Sequence, residues 1–259
     1  MVDGVVGSYA PSPSLSEQVT QVIRGWIISG ELKPGSRLVE REFCDRLEIS
    51  RATLREVFRL LESDGLVTTE ANRGRVVTML SPREAKELYE AREAIECTIV
   101  RLFVERASDD AIAELSEKLE ALRALYRSGD INLIMAKKDE FYEVLYAGAD
   151  NALLWKQART LTHRAARLRV RTLSMGNRPQ KSFDEIASVF DAIVSRNPKL
   201  AEARWRAHIR QAAESMFASM RSDENDDSSS ASHSRSAHTP RAPQVLPELH
   251  TPLHHRSHQ

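Results

Sequence analysis

The chain has 259 residues, which is enough for two modest domains that each bury a core of their own. Its 37 basic and 37 acidic side chains give a formal net charge of zero, so bulk charge predicts neither nucleic-acid nor membrane binding. No apolar run approaches the ~18 residues that cross a bilayer, so we expect no membrane partner.

The first segment, residues 1–13, is small, polar and proline-containing, which predicts a disordered lead-in. It lacks a basic stretch followed by an apolar run, so we expect no signal peptide. The first folded domain is predicted from residue 14 to residue 80.

Residues 14–80 alternate between helical and turn signals. A helical stripe of apolar residues covers 15–29, and a second short helix is predicted over 38–47. Ser50 is placed to cap a third helix. The β-rich segments 66–69 and 75–79 then flank an Asn-Arg-Gly turn and predict a hairpin. Three helices followed by a hairpin are typical of a winged helix-turn-helix.

The third predicted helix carries Arg51, Arg55 and Arg59 on one face, opposite an apolar stripe. Arginine forks match guanine O6 and N7 as well as phosphates, so this face is suited to a DNA major groove. An ordinary solvent-exposed charged face is the alternative. Residues 14–80 hold ten basic and ten acidic residues, so DNA binding must depend on where the arginines lie. Arg59 lies deepest in the helix, and an ion pair with Glu56 or Glu62 is expected for it.

From residue 81 to residue 221 the sequence predicts helices alone. Ser81-Pro82-Arg83-Glu84 combines an N-cap, an early proline and a capping-box glutamate. The predicted helices cover about residues 82–107, 109–128, 130–147, 151–174, 181–196 and 199–221. No strand-like alternation interrupts them, so the second domain is predicted to be an all-α bundle and the whole fold mainly α.

Residues 222–259 are rich in Ser, His and Pro and predict a disordered tail. Six of the eight histidines lie there, but their irregular spacing favours a solvated tail over a metal-chelating one. The two cysteines, Cys44 and Cys97, match no metal or redox spacing, and so few are typical of a reducing compartment. We therefore expect a cytoplasmic protein.

Several motifs together resemble one family of regulators. They are PGSRLVEREFCDRLEISRATLREVFRLLESDGLV at 34–67, NRGRVV at 72–77 and AREAIECTIVRLFVERA at 91–107, followed by FYEVLYAGADNALL and AEARWRAHI. Through them, residues 14–220 resemble GntR-family transcription regulators of the FadR type. The resemblance implies an N-terminal winged helix-turn-helix joined to an all-helical effector domain, the FCD domain. It also implies a homodimer that binds double-stranded DNA at a near-palindromic operator, with a small-molecule effector and repression as the expected sign.

The resemblance places DNA contacts on the helix-turn-helix and on the wing. Arg51 and Arg55 lie in the first turns after the Ser50 cap, where a recognition helix meets base edges. Arg41 begins the preceding helix and is expected to contact phosphate or a flanking base. Gly74 allows a tight wing tip. The predicted DNA-binding residues are Arg41, Ser50, Arg51, Thr53, Arg55, Arg73, Gly74 and Arg75.

Many FCD domains bind a divalent metal through one Asp and three His, and this sequence departs from that pattern. Lys138 falls on the Asp position, Tyr142 and an isoleucine fall on two His positions, and His208 alone keeps its identity. One ligand of four does not hold a metal, and an ammonium group opposes a divalent cation. We therefore expect no metal and no other cofactor. A rearranged site from Asp139, His163 and His208 is disfavoured, since Asp139 is turned ~100° from the inward stripe.

Lys138 and Arg92 fall on inward, otherwise apolar helix faces, where a charge needs a partner. One hypothesis is that an acidic small molecule, such as a carboxylate, binds without a metal to Arg92, Lys138, Tyr142 and His208. The alternative is an internal salt bridge from Lys138 or Arg92 to Glu96, which lies one turn after Arg92.

The helix predicted over residues 151–174 carries further cationic groups. They are Arg159, Arg164, Arg167, Arg169 and Arg171. Most are expected to face solvent or the DNA-binding domain, and Arg164 and Arg167 are the two considered able to reach the pocket.

Two other function classes compete with a DNA-binding regulator. One is a metal-independent enzyme on the helical bundle, although the sequence has no Gly-rich phosphate loop and no nucleophile beside a base. The other is a helical protein-interaction module whose winged helix binds a protein. We expect a regulator and not an enzyme, and DNA binding through Arg51 and Arg55 separates these classes.

Overall fold

The computed structural model describes residues 13–231, with side chains described as far as residue 222. The predicted lead-in up to residue 12 and the tail beyond residue 231 lie outside this part of the chain. The elements are α1 Leu15–Ser29, α2 Glu40–Leu47, α3 Arg51–Ser63, β1 Val67–Glu70, β2 Gly74–Val77, α4 Pro82–Arg106, α5 Asp109–Ser128, α6 Ile131–Gly148, α7 Ala152–Leu173, α8 Arg178–Val194 and α9 Pro198–Ala231. The mainly α fold class is confirmed.

The first domain, α1 to β2, is a winged helix-turn-helix as predicted. Ser14 begins α1 with a capping box. The rings of Trp26, Phe43 and Phe58 contact one another in a core that also includes both strands. β1 and β2 form a two-stranded antiparallel sheet. One apolar core therefore holds the helix-turn-helix and the wing in a fixed relation.

The helix α2 begins at Glu40, two residues later than predicted. Val39 is extended, and the amide of Leu38 donates to the carbonyl of Arg75 at 2.8 Å. The residue before Leu38 forms an isolated bridge with Val76. This segment therefore lies alongside β2, a long-range pairing that helical periodicity does not predict.

The second domain, α4 to α9, is the predicted all-α bundle. α4 begins with a capping box at Ser81 and packs along α9, which also contacts α8. Phe103, Phe141 and Trp205 are fully buried in the common core. Within the described residues, no helix is long and apolar enough to cross a membrane.

The last two helices are longer than predicted. α8 begins at Arg178 and has a proline in its first turn, where the missing N–H has no intrahelical acceptor. α9 runs to Ala231 and so enters the segment predicted as a disordered tail from residue 222. Residues 222–231 contain no Gly or Pro to end a helix. The predicted disorder is therefore wrong for 222–231, while 232–259 lie outside the described chain.

The two domains meet where α7 contacts α1. Asp64, at the end of α3, forms an ion pair with Arg24 of α1. The Nδ1 atom of His163 on α7 lies 3.4 Å from the other oxygen of the Asp64 carboxylate. This contact connects the helical domain with the end of the third helix.

We expect Gly148→Ala to destabilise the second domain. A Cβ atom at Gly148 would lie 2.6 Å from Cδ2 of the fully buried Phe103 ring. Overpacking of this kind lowers the free energy of unfolding by about 1–3 kcal/mol, measured by urea denaturation.

Gly25→Ala is the matched control for that change. Gly25 is an exposed position within α1, and a Cβ atom there meets nothing within 4 Å. This substitution should raise stability by about 0.5–1 kcal/mol through helix propensity. Equal effects of the two substitutions would contradict the packing argument.

Candidate DNA interface and effector pocket

The start of α3 is an exposed, capped helix end. The Ser50 hydroxyl accepts a hydrogen bond from the Thr53 amide at 3.1 Å and lies 2.9 Å from the Thr53 hydroxyl. Arg51 and Arg55 project from the exposed face. Arg55 keeps 64% of its side chain exposed, with its Nε 3.5 Å from Glu40. These predicted base-reading residues are therefore accessible on one helix face.

Two other arginines beside this face differ in the ion pairs that they form. Arg41, at the start of α2, is 84% exposed and lies 3.6 Å from Asp45. Such an exposed pair stabilises little and leaves the guanidinium available to a phosphate. Arg59 forms an ion pair with Glu56, so the expectation of an ion pair for Arg59 is confirmed.

At the wing tip, a glycine with open space around it lies beside an arginine that forms hydrogen bonds. Gly74 adopts φ +71°, a left-handed conformation that favours glycine, and open space surrounds it. Arg73 donates to the carbonyl of Gly35 at 2.7 Å and lies 3.3 Å from Glu70. Both arginine contacts are near the surface, so Arg73 remains placed to meet a DNA backbone.

Arg75 is more deeply engaged than the sequence predicts. Its guanidinium donates to Glu40 at 2.7 Å and to Glu62 at 3.0 Å, and it lies over the Phe58 ring. Only 26% of the side chain is exposed. Arg75 therefore fastens the wing to α2 and α3, and its direct contact with DNA stays a prediction.

In the second domain, all four residues predicted as an effector site line a single small cavity. Arg92 comes from α4, Lys138 and Tyr142 from α6, and His208 from α9. Each is nearly fully buried. The cavity volume is about 10 Å³, which is room for about one water molecule. We call these residues and their direct partners the pocket.

Four further polar residues of the pocket are not predicted by the sequence. Arg169 and Thr172 of α7 and Arg178 and Ser182 of α8 line the same cavity. By contrast, Arg167 donates to the carbonyl of Leu32 at the domain junction, and Arg164 packs there too, beside the turn after α3. The expectation that Arg164 or Arg167 reaches the pocket is therefore wrong, because their positions on α7 face the first domain.

The predicted internal salt bridge is present for Arg92. Its Nε donates to Glu96 at 2.7 Å, and both side chains are completely buried. The second oxygen of Glu96 accepts from the Trp205 indole at 3.1 Å. Lys138 does not share this partner: its Nζ donates to the Ser182 hydroxyl at 3.0 Å, and among the described residues no carboxylate lies within ion-pair distance of it.

Glu185 holds two pocket residues together. It accepts two hydrogen bonds from Arg178, at 2.9 and 3.0 Å, and its Oε2 lies 2.6 Å from Nδ1 of His208. Burial raises the pKa of Glu185, but His208 and Arg178 outweigh it and the pKa falls below its usual value. Burial lowers the pKa of His208 to about 4, with Arg178 acting in the same direction. His208 is therefore neutral near pH 7.

The pocket retains unused hydrogen-bond donors. Arg169 donates to Asp139 at 2.9 Å through Nη1, while its Nε and Nη2 have no partner among the described residues. The Nη1 of Arg92 is likewise without a partner in that part of the chain. Buried N–H groups of this kind are costly unless something accepts from them. They form an arrangement suited to a bound oxyanion.

The residues considered for a rearranged metal site are engaged separately. Asp139 pairs with Arg169, His163 faces Asp64 and His208 faces Glu185. In the described part of the chain, no three His, Cys, Asp or Glu side chains converge as a metal site would need.

Comparisons with known proteins match both domains. Residues 15–77 match the family described as bacterial regulatory proteins, gntR family, and residues 87–211 match the FCD domain. The HTH-type transcriptional repressor RspR of Escherichia coli strain K12 is 24% identical over 206 residues, covering 80% of this chain and 90% of its own. The Nta operon transcriptional regulator of Aminobacter aminovorans is 33% identical over 139 residues, covering 53% of this chain and 65% of its own.

A solved structure has the same fold. McbR/YncC of E. coli superimposes with a TM-score of 0.70 at 21% identity, covering 80% of this chain and 98% of the other. The two domain matches, which together span most of residues 15–211, agree with the winged helix-turn-helix and helical bundle described above. The chain belongs to the GntR family of bacterial regulatory proteins and is a transcriptional regulator whose helical part is an FCD domain.

Proposed function

We propose that this regulator is a repressor that binds a near-palindromic operator as a homodimer and is released by a small organic acid. The observation that supports DNA binding most strongly is the exposed pair Arg51 and Arg55 on the first turns of a capped helix. RspR, a relative over most of its length, is named a repressor. A protein that binds a bacterial operator acts in the cytoplasm, and the proposal includes that location.

A homodimer fits this mode of DNA recognition. One winged helix reads only a short half-site, and two copies related by a twofold axis read a palindrome. Because residues 14–80 carry no net charge, affinity has to come from few, well-placed contacts doubled by symmetry.

The pocket supports an anionic effector bound without a metal. Three arginines of the pocket each pair with one carboxylate, and some of the N–H groups of Arg92 and Arg169 lack an acceptor within the described chain. A carboxylate would accept from them, and the arginines would supply the charge that a metal supplies in related FCD domains. Displacement of Asp139 from Arg169 would then alter α6 and α7, the second of which contacts α1.

The test of DNA binding compares two arginines of one helix. After genomic fragments bound by the protein have been selected, Arg51→Ala should weaken operator binding by about 1–3 kcal/mol, since each bidentate base contact is worth that much. Binding is measured by gel shift at fixed salt, because phosphate contacts make affinity salt-dependent.

Arg59→Ala is the matched control, since Arg59 lies on the same helix but is paired with Glu56. Its effect should be within about 0.5 kcal/mol, the usual range for an isolated surface change. Equal losses for both variants would contradict base reading by Arg51. No complex with genomic DNA at any salt would favour a protein-interaction module instead.

A further inference from the structure

Lys138 has unusual surroundings for a lysine. Its side chain is 3% exposed, and its Nζ donates to the Ser182 hydroxyl and lies 5.9 Å from the centre of the Tyr142 ring. The cavity brings Arg92, Arg169 and Arg178 around the same amine. An ammonium ion in this position would lose its hydration and face three guanidinium groups.

These surroundings favour the neutral amine. Burial is the largest cause that lowers the pKa of Lys138 well below its usual value, and Arg169, Arg178 and Arg92 add to it. Glu185 acts in the opposite direction but is already occupied by Arg178 and His208. A neutral amine keeps its lone pair, and a desolvated lysine beside other cations is a known form of activated nucleophile.

The same cavity offers a binding site for a carboxylate beside that amine. Nη1 of Arg92 and the Nε and Nη2 atoms of Arg169 are buried and have no acceptor within the described chain. Arginine forks bind carboxylates by paired hydrogen bonds. Because Lys138 lines the same cavity, a carbon attached directly to such a carboxylate would share that cavity with Nζ of Lys138.

We propose that Lys138 binds a short 2-oxo acid covalently, as a reversible imine, while Arg92 and Arg169 hold the acid's carboxylate. This inference rests on the proposed organic-acid effector and specifies its chemical class. The effector needs a carbonyl carbon adjacent to its carboxylate, which hydroxy acids and simple fatty acids lack.

The step balances without an oxidant or a reductant. The lone pair of Nζ attacks the carbonyl carbon, forming a C–N bond, and the carbonyl oxygen takes up a proton to give a carbinolamine. The two amine protons leave with that oxygen as water when the C–O bond breaks, and a C=N bond remains. Addition of water reverses both steps and releases the acid.

The small size of the cavity restricts the length of the acid that can enter it. At about 10 Å³ it holds about one water molecule, so an acid must displace that volume and move the arginine side chains. In the imine, the former carbonyl carbon of the ligand is at covalent-bond distance from Nζ of Lys138, which is shorter than a van der Waals contact. The bound acid therefore needs less space. This geometry favours acids of two or three carbons.

The test traps the imine on the full-length protein. Pyruvate or glyoxylate is added with sodium cyanoborohydride, which reduces an imine to a stable secondary amine, and the digested protein is mapped by mass spectrometry. The peptide containing Lys138 should gain the mass of the oxo acid less one oxygen atom. Adduct on Lys138 should exceed that on Lys137 by about tenfold or more, because the amine of Lys137 is held in an ion pair with Glu140 and its lone pair is not available to a carbonyl.

Lys137 is the matched internal control, since it neighbours Lys138 but is half exposed and paired with Glu140. Lys138→Arg should lose the specific adduct, whereas Lys137→Arg should keep it. Mapping of wild-type protein decides the matter even if Lys138→Arg folds poorly. No adduct on Lys138 with either acid, or labelling equal to that of Lys137, overturns the inference.

Calorimetric titration of pyruvate and lactate without reductant separates this inference from the proposed effector class. Lactate carries the carboxylate but no carbonyl group. If both acids bind and no imine is trapped, covalent capture is wrong and the organic-acid pocket stands. If neither acid binds or reacts, both proposals fail for short acids.

Discussion

Replacement of Glu96 by alanine is expected to lower the free energy of unfolding by about 3–5 kcal/mol, the cost of leaving one charge of a buried pair without its partner. The Glu96 and Arg92 side chains are 0% and 1% exposed, so water cannot replace the lost carboxylate. The Trp205 indole loses its acceptor as well. Chemical denaturation followed by tryptophan fluorescence measures this loss.

Glu93→Ala is the control on the same helix. Glu93 also binds arginines, Arg206 and Arg210, but these are 38% and 62% exposed. Its removal should cost no more than about 1 kcal/mol, because exposed ion pairs are weak.

The double variant Arg92→Met with Glu96→Leu tests the reason for the loss. Replacing both charges by apolar side chains removes the unpaired charge and should restore most of the stability. If Glu96→Ala lowers the free energy of unfolding no more than Glu93→Ala does, the buried pair does not stabilise the fold as its geometry indicates.

The sequence predicts much of the effector pocket because a charged residue on an apolar helix face is conspicuous. Arg92, Lys138 and His208 each interrupt such a stripe, and the structure brings them to one cavity. Arg169 gives no such signal, since it is one of five arginines on α7 and only the packing of that helix decides which turns inward. Arg178 was missed because a proline follows it, and that position resembles a loop.

The wing shows the same division between local and long-range information. The hairpin follows from local β propensity and the turn around Gly74, and it was predicted correctly. Because Arg75 lies beside that turn, the sequence also predicts it to contact DNA. Its carboxylate partners, Glu40 and Glu62, come from two helices distant in sequence, so their approach depends on the tertiary fold.

Acidification should destabilise the protein before ordinary carboxylates titrate. Burial lowers the pKa of His208 to about 4 from its model-peptide value of 6.5, so between these values the unfolded chain binds a proton that the folded chain does not. The contribution of His208 to stability is therefore full above pH 6.5 and decreases as the pH falls. Lys138 and Glu185, whose pKa values are also lowered, change stability in the same direction. Between pH 6.5 and about pH 5 the loss attributable to His208 is about 2 kcal/mol.

Unfolding curves at a series of pH values, for wild type and two variants, check this expectation. His208→Gln removes this titrating group and should reduce the slope of the free energy of unfolding against pH between about pH 5 and pH 6.5, leaving the contribution of Lys138. Tyr126→Phe is the matched control, because its hydroxyl contacts Ser182 in the same cluster, and burial holds its pKa far above this range. Tyr126→Phe should lower the free energy of unfolding at every pH but leave its dependence on pH unchanged. If the slope between pH 5 and pH 6.5 is the same in His208→Gln as in wild type, the buried, neutral His208 is not a source of the acid sensitivity.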